Sequence, residues 1–183
     1  VSVSSGILEL SGFRVSFGSG ASGIGGNIEA KVNGGELRLF DMHFRNGSAV
    51  HVGAGGQFTA YDSGTIRCNL CSFANNTLTP TAAARAGAGA RLNAADSGLI
   101  VFSETNIFAN EAGAAVSGVG LDVDARGDSR VNLSDVFIGS NSTAASNGSV
   151  LNVTARGNAL VNSERLILSG NSGAVGATAI RQV

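Results

Sequence analysis

The chain has no tryptophan, one proline, one tyrosine, one methionine and a single lysine, Lys31, and only 14% of its residues are charged. Twelve basic against thirteen acidic residues leave a formal net charge of −1, which offers no basic face to a nucleic acid or an anionic membrane. No run approaches the roughly eighteen apolar residues that a helix needs to span a bilayer. Glycine is plentiful, 27 residues, but without a triplet period or more prolines a collagen helix is excluded. A mean hydropathy of +0.21 with 43% hydrophobic residues excludes intrinsic disorder. Without tryptophan, the chain also lacks the aromatic platforms usual in sugar-binding clefts.

What remains is 183 residues with no composition break, read as one domain over 1–183. The chain opens at Val1 without an initiator methionine or a charged, then apolar, leader, and reads as a mature product or an excised piece. Its two cysteines, Cys68 and Cys71, are spaced C-x-x-C. Redox chemistry needs that motif at a helix N-terminus, and the surroundings read as strand. A zinc site would have to recruit His43 and His51 at a spacing no zinc motif uses. Two readings stay open: small buried side chains, or a local disulfide across a strand corner.

The strongest signal is an internal repeat. Alanines Ala30, Ala60, Ala94, Ala125 and Ala155 recur at spacings of 30, 34, 31 and 30, each two residues after an apolar residue (Ile28, Phe58, Leu92, Val123, Val153). Sixteen residues after each alanine stands an asparagine: Asn46, Asn76, Asn110, Asn141 and Asn171. Five residues before it stands Gly25, Gly55, Gly89 or Gly120, with Val150 in the last unit. All length variation falls between asparagine and glycine, and the longest such arc is Thr77–Ala88 with Pro80. Fixed-length units closed by one variable turn are what a stacked solenoid requires. Runs such as Leu37-Arg38-Leu39 and Leu151-Asn152-Val153 alternate with period two, between Gly-, Asn- and Asp-rich turns, so the units are strands.

The expected fold is therefore all-β: a single-stranded right-handed parallel β-helix of about six coils of about 30 residues, some 29 Å long. Repeat positions become columns along its axis. The apolar residues before the alanines form one internal stack; His43, Phe73, Ile107, Ile138 and Leu168 form a second. The asparagines form a hydrogen-bonded ladder at a tight turn.

Phe73-Ala74-Asn75-Asn76 followed by Gly87-Ala88-Gly89-Ala90 resembles the F-x-x-N and G-G-A signature of polymorphic outer-membrane-protein repeats and related autotransporter passengers. Phe44-Arg45-Asn46 with Gly53-Ala54-Gly55-Gly56, and Phe108-Ala109-Asn110 with Gly118-Val119-Gly120-Leu121, are degenerate copies. The resemblance implies a β-helical, surface-displayed or secreted segment acting as adhesin or stalk. It says little about chemistry, because the motif residues are packing positions.

Carbohydrate-active enzymes also use β-helices. The densest acidic group is Asp122, Asp124 and Asp128, with Glu104 and Asp135 on neighbouring rungs. Asp122 and Asp124 project from one side of a strand roughly 6.5–7 Å apart, which suits a carboxylate pair or, with Asp128, a calcium site. One coil on, the same positions hold Asn152, Thr154 and Asn158, so a solvated polar face is the plainer reading. Arg126-Gly127-Asp128 spells an integrin-binding tripeptide, but Arg156-Gly157-Asn158 repeats the turn. Sequons stand at Asn46, Asn75, Asn132, Asn141, Asn147 and Asn152; Asn46 and Asn141 are expected in the ladder, where a glycan would break the stack. No serine–histidine–acid set, phosphate loop or nucleotide fingerprint is read from the sequence.

The resulting expectation is an extracellular or cell-surface structural or adhesive solenoid, not an enzyme, with no catalytic, cofactor or metal residue assigned. Both ends, Val1-Ser2-Val3-Ser4 and Ala179-Ile180-Arg181-Gln182-Val183, are strand-like and uncapped. End-to-end self-association into a filament is therefore expected, with a surface glycan or a host-cell receptor as a further partner and neither nucleic acid nor a membrane span. The alternative is a polysaccharide lyase or glycosidase.

Overall fold

A computed structural model describes residues 1–20, 26–79, 87–113, 118–144 and 148–173. Among these residues there is no helix; parallel strands stack as a β-solenoid of about five turns. Gly25, Pro80, Asn147 and the exit segment Ala179–Val183 lie outside the described residues.

Three sheets run along the axis, and the first and third each contain six strands, one per rung. In rung two the chain passes through Glu29–Asn33 of the first sheet, then Glu36–Phe40 and His43–Arg45 of the second, then Ser48–Ala49 of the third. The second sheet is bent. A column of left-handed residues, Asp41, Leu70, Glu104, Asp135 and Arg165, makes that bend, and Phe17, Asn46, Asn75, Ala109 and Ser140 make the corner to the third sheet. In rungs four and five the strands Leu99–Phe108 and Arg130–Gly139 run through the bend without a break.

The interior is built from apolar columns, as the two-residue alternation requires. Leu37, Ile66, Ile100 and Val131 pair rung to rung and are fully buried. Phe44 and Phe73 stack at 4.9 Å and 17°, Phe73 and Phe102 at 5.7 Å and 8°, and Phe58 meets Phe102 edge-on at 5.4 Å and 78°. These offset and edge-on arrangements suit ring quadrupoles.

The asparagine ladder is present, from Asn76 onward. Asn76 Nδ2 donates to Asn110 Oδ1 at 2.9 Å, Asn110 Nδ2 to Asn141 Oδ1 at 2.8 Å, and Asn141 Nδ2 to Asn171 Oδ1 at 3.1 Å. Each amide also donates to a carbonyl one rung back, those of Phe44, Phe73, Ile107 and Ile138. Each Oδ1 accepts the backbone N–H of the preceding rung's Gly47, Asn76, Asn110 or Asn141. Asn76, Asn110 and Asn141 are completely buried, so this saturation is what makes them tolerable.

The facing wall explains the recurrent glycine. A Cβ on Gly89 would stand 2.4 Å from the Gly120 carbonyl oxygen, 2.6 Å from Ile107 and 3.0 Å from the Asn110 amide. The ladder leaves no room for a side chain opposite it.

Two columns differ from the sequence expectation at rung two. Ala30 pairs with Phe58 and Val32 with Ala60, so the alanine register slips by two there. An even slip keeps every side chain on its face, and the alternation cannot detect it. Further along the rung the slip is one: Phe44, not His43, pairs with Phe73, and His43 pairs with Ser72 on the outer face. Asn46 consequently pairs with Asn75 at the exposed corner, with φ 54°, and Gly47 takes the ladder position. The missing amide comes from the other wall. Asn27, in the glycine column, accepts the Gly18 N–H at 2.9 Å and donates to Asn76 Oδ1 at 3.0 Å and the Arg45 carbonyl at 3.1 Å. Asparagine and glycine have exchanged walls.

Candidate functional site

Cys68 and Cys71 form a disulfide across the bend at Leu70, with Cα atoms 5.9 Å apart. Cys68 lies in the internal column of Leu39 and Phe102, and both cysteines are buried. The pairing removes them as zinc ligands. Among the described residues no three His, Cys, Asp or Glu side chains gather to hold a metal.

The acidic group splits over two sheets. Asp122 and Asp124 project from the outer face of the first sheet, on the strand Leu121–Gly127, yet they are only 3% and 8% exposed. Asp122 Oδ1 accepts Asn152 Nδ2 at 2.6 Å, and Arg91 Nε lies 3.5 Å from its other oxygen. Burial pushes Asp122 up to about 6, against the opposing pull of Asn152 and Arg91. Burial also raises Asp124, but its pairing with Arg126, helped by Arg156 and Arg91, outweighs this and holds it below the ordinary carboxylate value. Gln57 Oε1 and Thr59 Oγ1 on the same face are buried and make no hydrogen bond. Asp128 stands apart, exposed in the following turn, where it accepts Asn158 Nδ2 at 2.9 Å.

Glu104 and Asp135 are neighbours, but in the bend column of the second sheet, away from the Asp122 strand. Asp135 is paired with Arg165, which holds its carboxyl below the ordinary value. With Leu70 and Asn106 they line a shallow groove. The tripeptide turn is exposed and its glycine is left-handed, φ 69°, but Arg126 is folded back onto Asp124. Of the sequons, Asn46 and Asn75 stand exposed at the corner and Asn141 is in the ladder. Asn132 and Asn152 are tied to Asn162 and Asp122.

One constellation was not legible in the sequence. His43 Nδ1 lies 2.7 Å from Ser72 Oγ, and His43 Nε2 lies 3.4 Å from Asp41 Oδ1. Ser72 stands one rung above His43 in the same outward column, and Asn106 stands one rung above Ser72. The signal that would have found it is the 29-residue step from His43 to Ser72, visible only once the register slip is known.

The end rungs differ from the middle. In rung one Leu8 and Phe13 occupy interior columns but are exposed, Phe13 by 57%. At the other end a cavity of about 170 Å³ opens among Leu133, Leu151, Val153, Ala155, Val161, Ser163 and Leu166. Comparison with family models, curated proteins and solved structures found no match.

Proposed function

We propose that the protein is an extracellular or cell-surface structural or adhesive solenoid, of the polymorphic outer-membrane-protein and autotransporter-passenger type, that stacks end to end with copies of itself. The observation that carries the reading is the repeated cross-section, in which successive rungs continue the same apolar columns and the same asparagine ladder. Among the described residues, strands Ile7–Ser11 and Leu160–Glu164 each pair on one side only, and Leu8 and Phe13 of the interior columns are exposed. Because every rung repeats one cross-section, the last rung of one copy presents the columns that the first rung of the next would continue. Such a contact is heterologous and extends without closing. The buried disulfide fits an oxidising compartment, and Phe73, Asn76 and Gly89 occupy the stack, ladder and facing wall that the repeat signature encodes.

Light scattering and negative-stain microscopy over a range of concentration test the assembly. The expected result is rods growing in steps of about 29 Å, six rungs at about 4.8 Å, and abolished by Phe13→Glu. Monomers alone at high concentration would overturn it. They would point instead to further coils of a longer chain, or another partner, covering these faces.

A second reading, a carbohydrate-active β-helix, has one observation in its favour: the environments of Asp122 and Asp124 push their protonation equilibria apart, as in a general acid beside an ionised carboxylate. Its test is cleavage of polyuronates or other glycans, lost in Asp124→Asn. We expect no turnover, because the pair is buried and Asp124 is committed to Arg126.

A further inference from the structure

We propose that Ser72, His43 and Asp41 form an acyl-transfer site on the outer face of the second sheet, beyond any scaffold role. The site works in the tautomer with its proton on Nε2, which lies 3.4 Å from Asp41 Oδ1, so that the Nδ1 lone pair accepts the Ser72 hydroxyl proton. This is the nucleophile–base–orienter order of a serine hydrolase with the ring nitrogens exchanged, and such sites are defined by roles and geometry. The 2.7 Å contact is already at proton-transfer distance, while the 3.4 Å contact is of the length that tightens when substrate binds. Asp41, at the bend, and His43, the first residue of the strand after it, are two residues apart, so the backbone presets their distance; rung stacking presets that of His43 and Ser72.

The step balances without another reagent. Ser72 Oγ attacks an ester carbonyl as its proton passes to Nδ1. Collapse of the tetrahedral adduct expels the alcohol, which takes that proton back, leaving an acyl-serine. Water then gives a proton to Nδ1 as its oxygen attacks the acyl carbon; the second adduct breaks the bond to Ser72 Oγ, which takes that proton back from Nδ1, and the acid leaves. The Asn106 amide, one rung above Ser72 in the same column and exposed, makes no hydrogen bond to a described residue and is the donor assigned to the developing oxyanion. A single side-chain donor predicts slow turnover.

The surroundings restrict the substrate. Ser72 is only 6% exposed between its column neighbours, so the acyl group must be small. Asp41 and Glu104 lie along the bend, Asp135 is paired with Arg165 and Arg14 stands one rung below His43, so the rim carries both signs, and exposed Leu70 offers an apolar contact. The class is a short, uncharged acyl ester.

The test uses the intact protein with a fluorophosphonate probe and with p-nitrophenyl acetate, read by peptide mass and by release of nitrophenolate. The expected result is an adduct on the Ser72 peptide in preference to the chain's other serines, absent in Ser72→Ala, with His43→Gln slowing labelling about 10²-fold. Asp41→Asn should lower kcat with KM unchanged, as befits a positioning residue. No adduct on Ser72, or one that forms as fast as on other serines, would overturn the proposal. The other serines serve as an internal control that needs no folded variant.

Discussion

Asn110→Leu is the sharpest perturbation of the scaffold, because leucine keeps the branched outline, with some added bulk, and deletes the amide. Four contacts go: Nδ2 to the Phe73 carbonyl at 3.0 Å and to Asn141 Oδ1 at 2.8 Å, and Oδ1 from Asn76 N at 3.0 Å and Asn76 Nδ2 at 2.9 Å. Not all of these leave orphans. Asn141 Oδ1 keeps the Asn110 backbone N–H, and Asn76 Nδ2 keeps the Phe44 carbonyl. What is stranded is the Asn76 backbone N–H and one Nδ2 proton, both fully buried. At about 1–3 kcal/mol for each orphan, set against about 1.5–3 kcal/mol returned by burying leucine, the net loss is about 1–3 kcal/mol. Denaturant unfolding followed by circular dichroism measures it, with Asn46→Gly as the control. Asn46 is exposed and already left-handed, so glycine there should change stability by no more than about 0.5 kcal/mol. A loss at Asn110 no larger than at Asn46 would refute the ladder as a source of stability.

Asn27→Ala should destabilise like a ladder substitution, because Asn27 makes three hydrogen bonds at the rung where the periodic asparagine is absent; the same unfolding assay decides. Asp122 sets a pH dependence: its folded value, about 6, lies above the ordinary 3.8, so stability is greatest below 3.8 and falls as pH rises through about 6. Asp122→Asn should therefore raise neutral-pH stability by roughly 1–3 kcal/mol while still accepting Asn152, and flatten the profile between pH 4 and 6. Replacing Cys68 and Cys71 together by alanine should cost about 2 kcal/mol, the chain-entropy value for so short a loop; thiol titration of the native protein should find no free sulfhydryl.

Class, repeat length and the ladder from Asn76 to Asn171 were legible because each is fixed by local physics. Period-two alternation fixes strands, turn residues fix the corners, and a buried amide is affordable only if the next rung supplies its partner. The cysteine pairing was not legible, since spacing alone leaves buried thiols and a disulfide equally open. The burial of Asp122 and Asp124 was hidden for a related reason. Sequence places them on an outward face, but how far that face is covered depends on neighbours such as Arg91, Asn152 and Arg126, which periodicity does not locate.

Rung two shows where pattern reading stops. Hydrophobic alternation repeats every two residues, so it is blind to the slip that sets Ala30 against Phe58. The ladder requires an amide in a slot, not an asparagine at a given position, and Asn27 fills that slot from the opposite wall. A slip of one, by contrast, reverses a face. It takes His43 out of the interior, puts Phe44 into the ring stack, and sets the imidazole against Ser72. The irregularity that defeats the repeat is thus what brings Asp41, His43 and Ser72 together. A copy of this rung with His43 in register would carry no such constellation. Deleting one residue from the arc between Gly47 and Gly56 would leave that pairing untouched, whereas inserting one between Leu70 and Ser72 would move Ser72 off the His43 column and abolish serine labelling while the solenoid still forms.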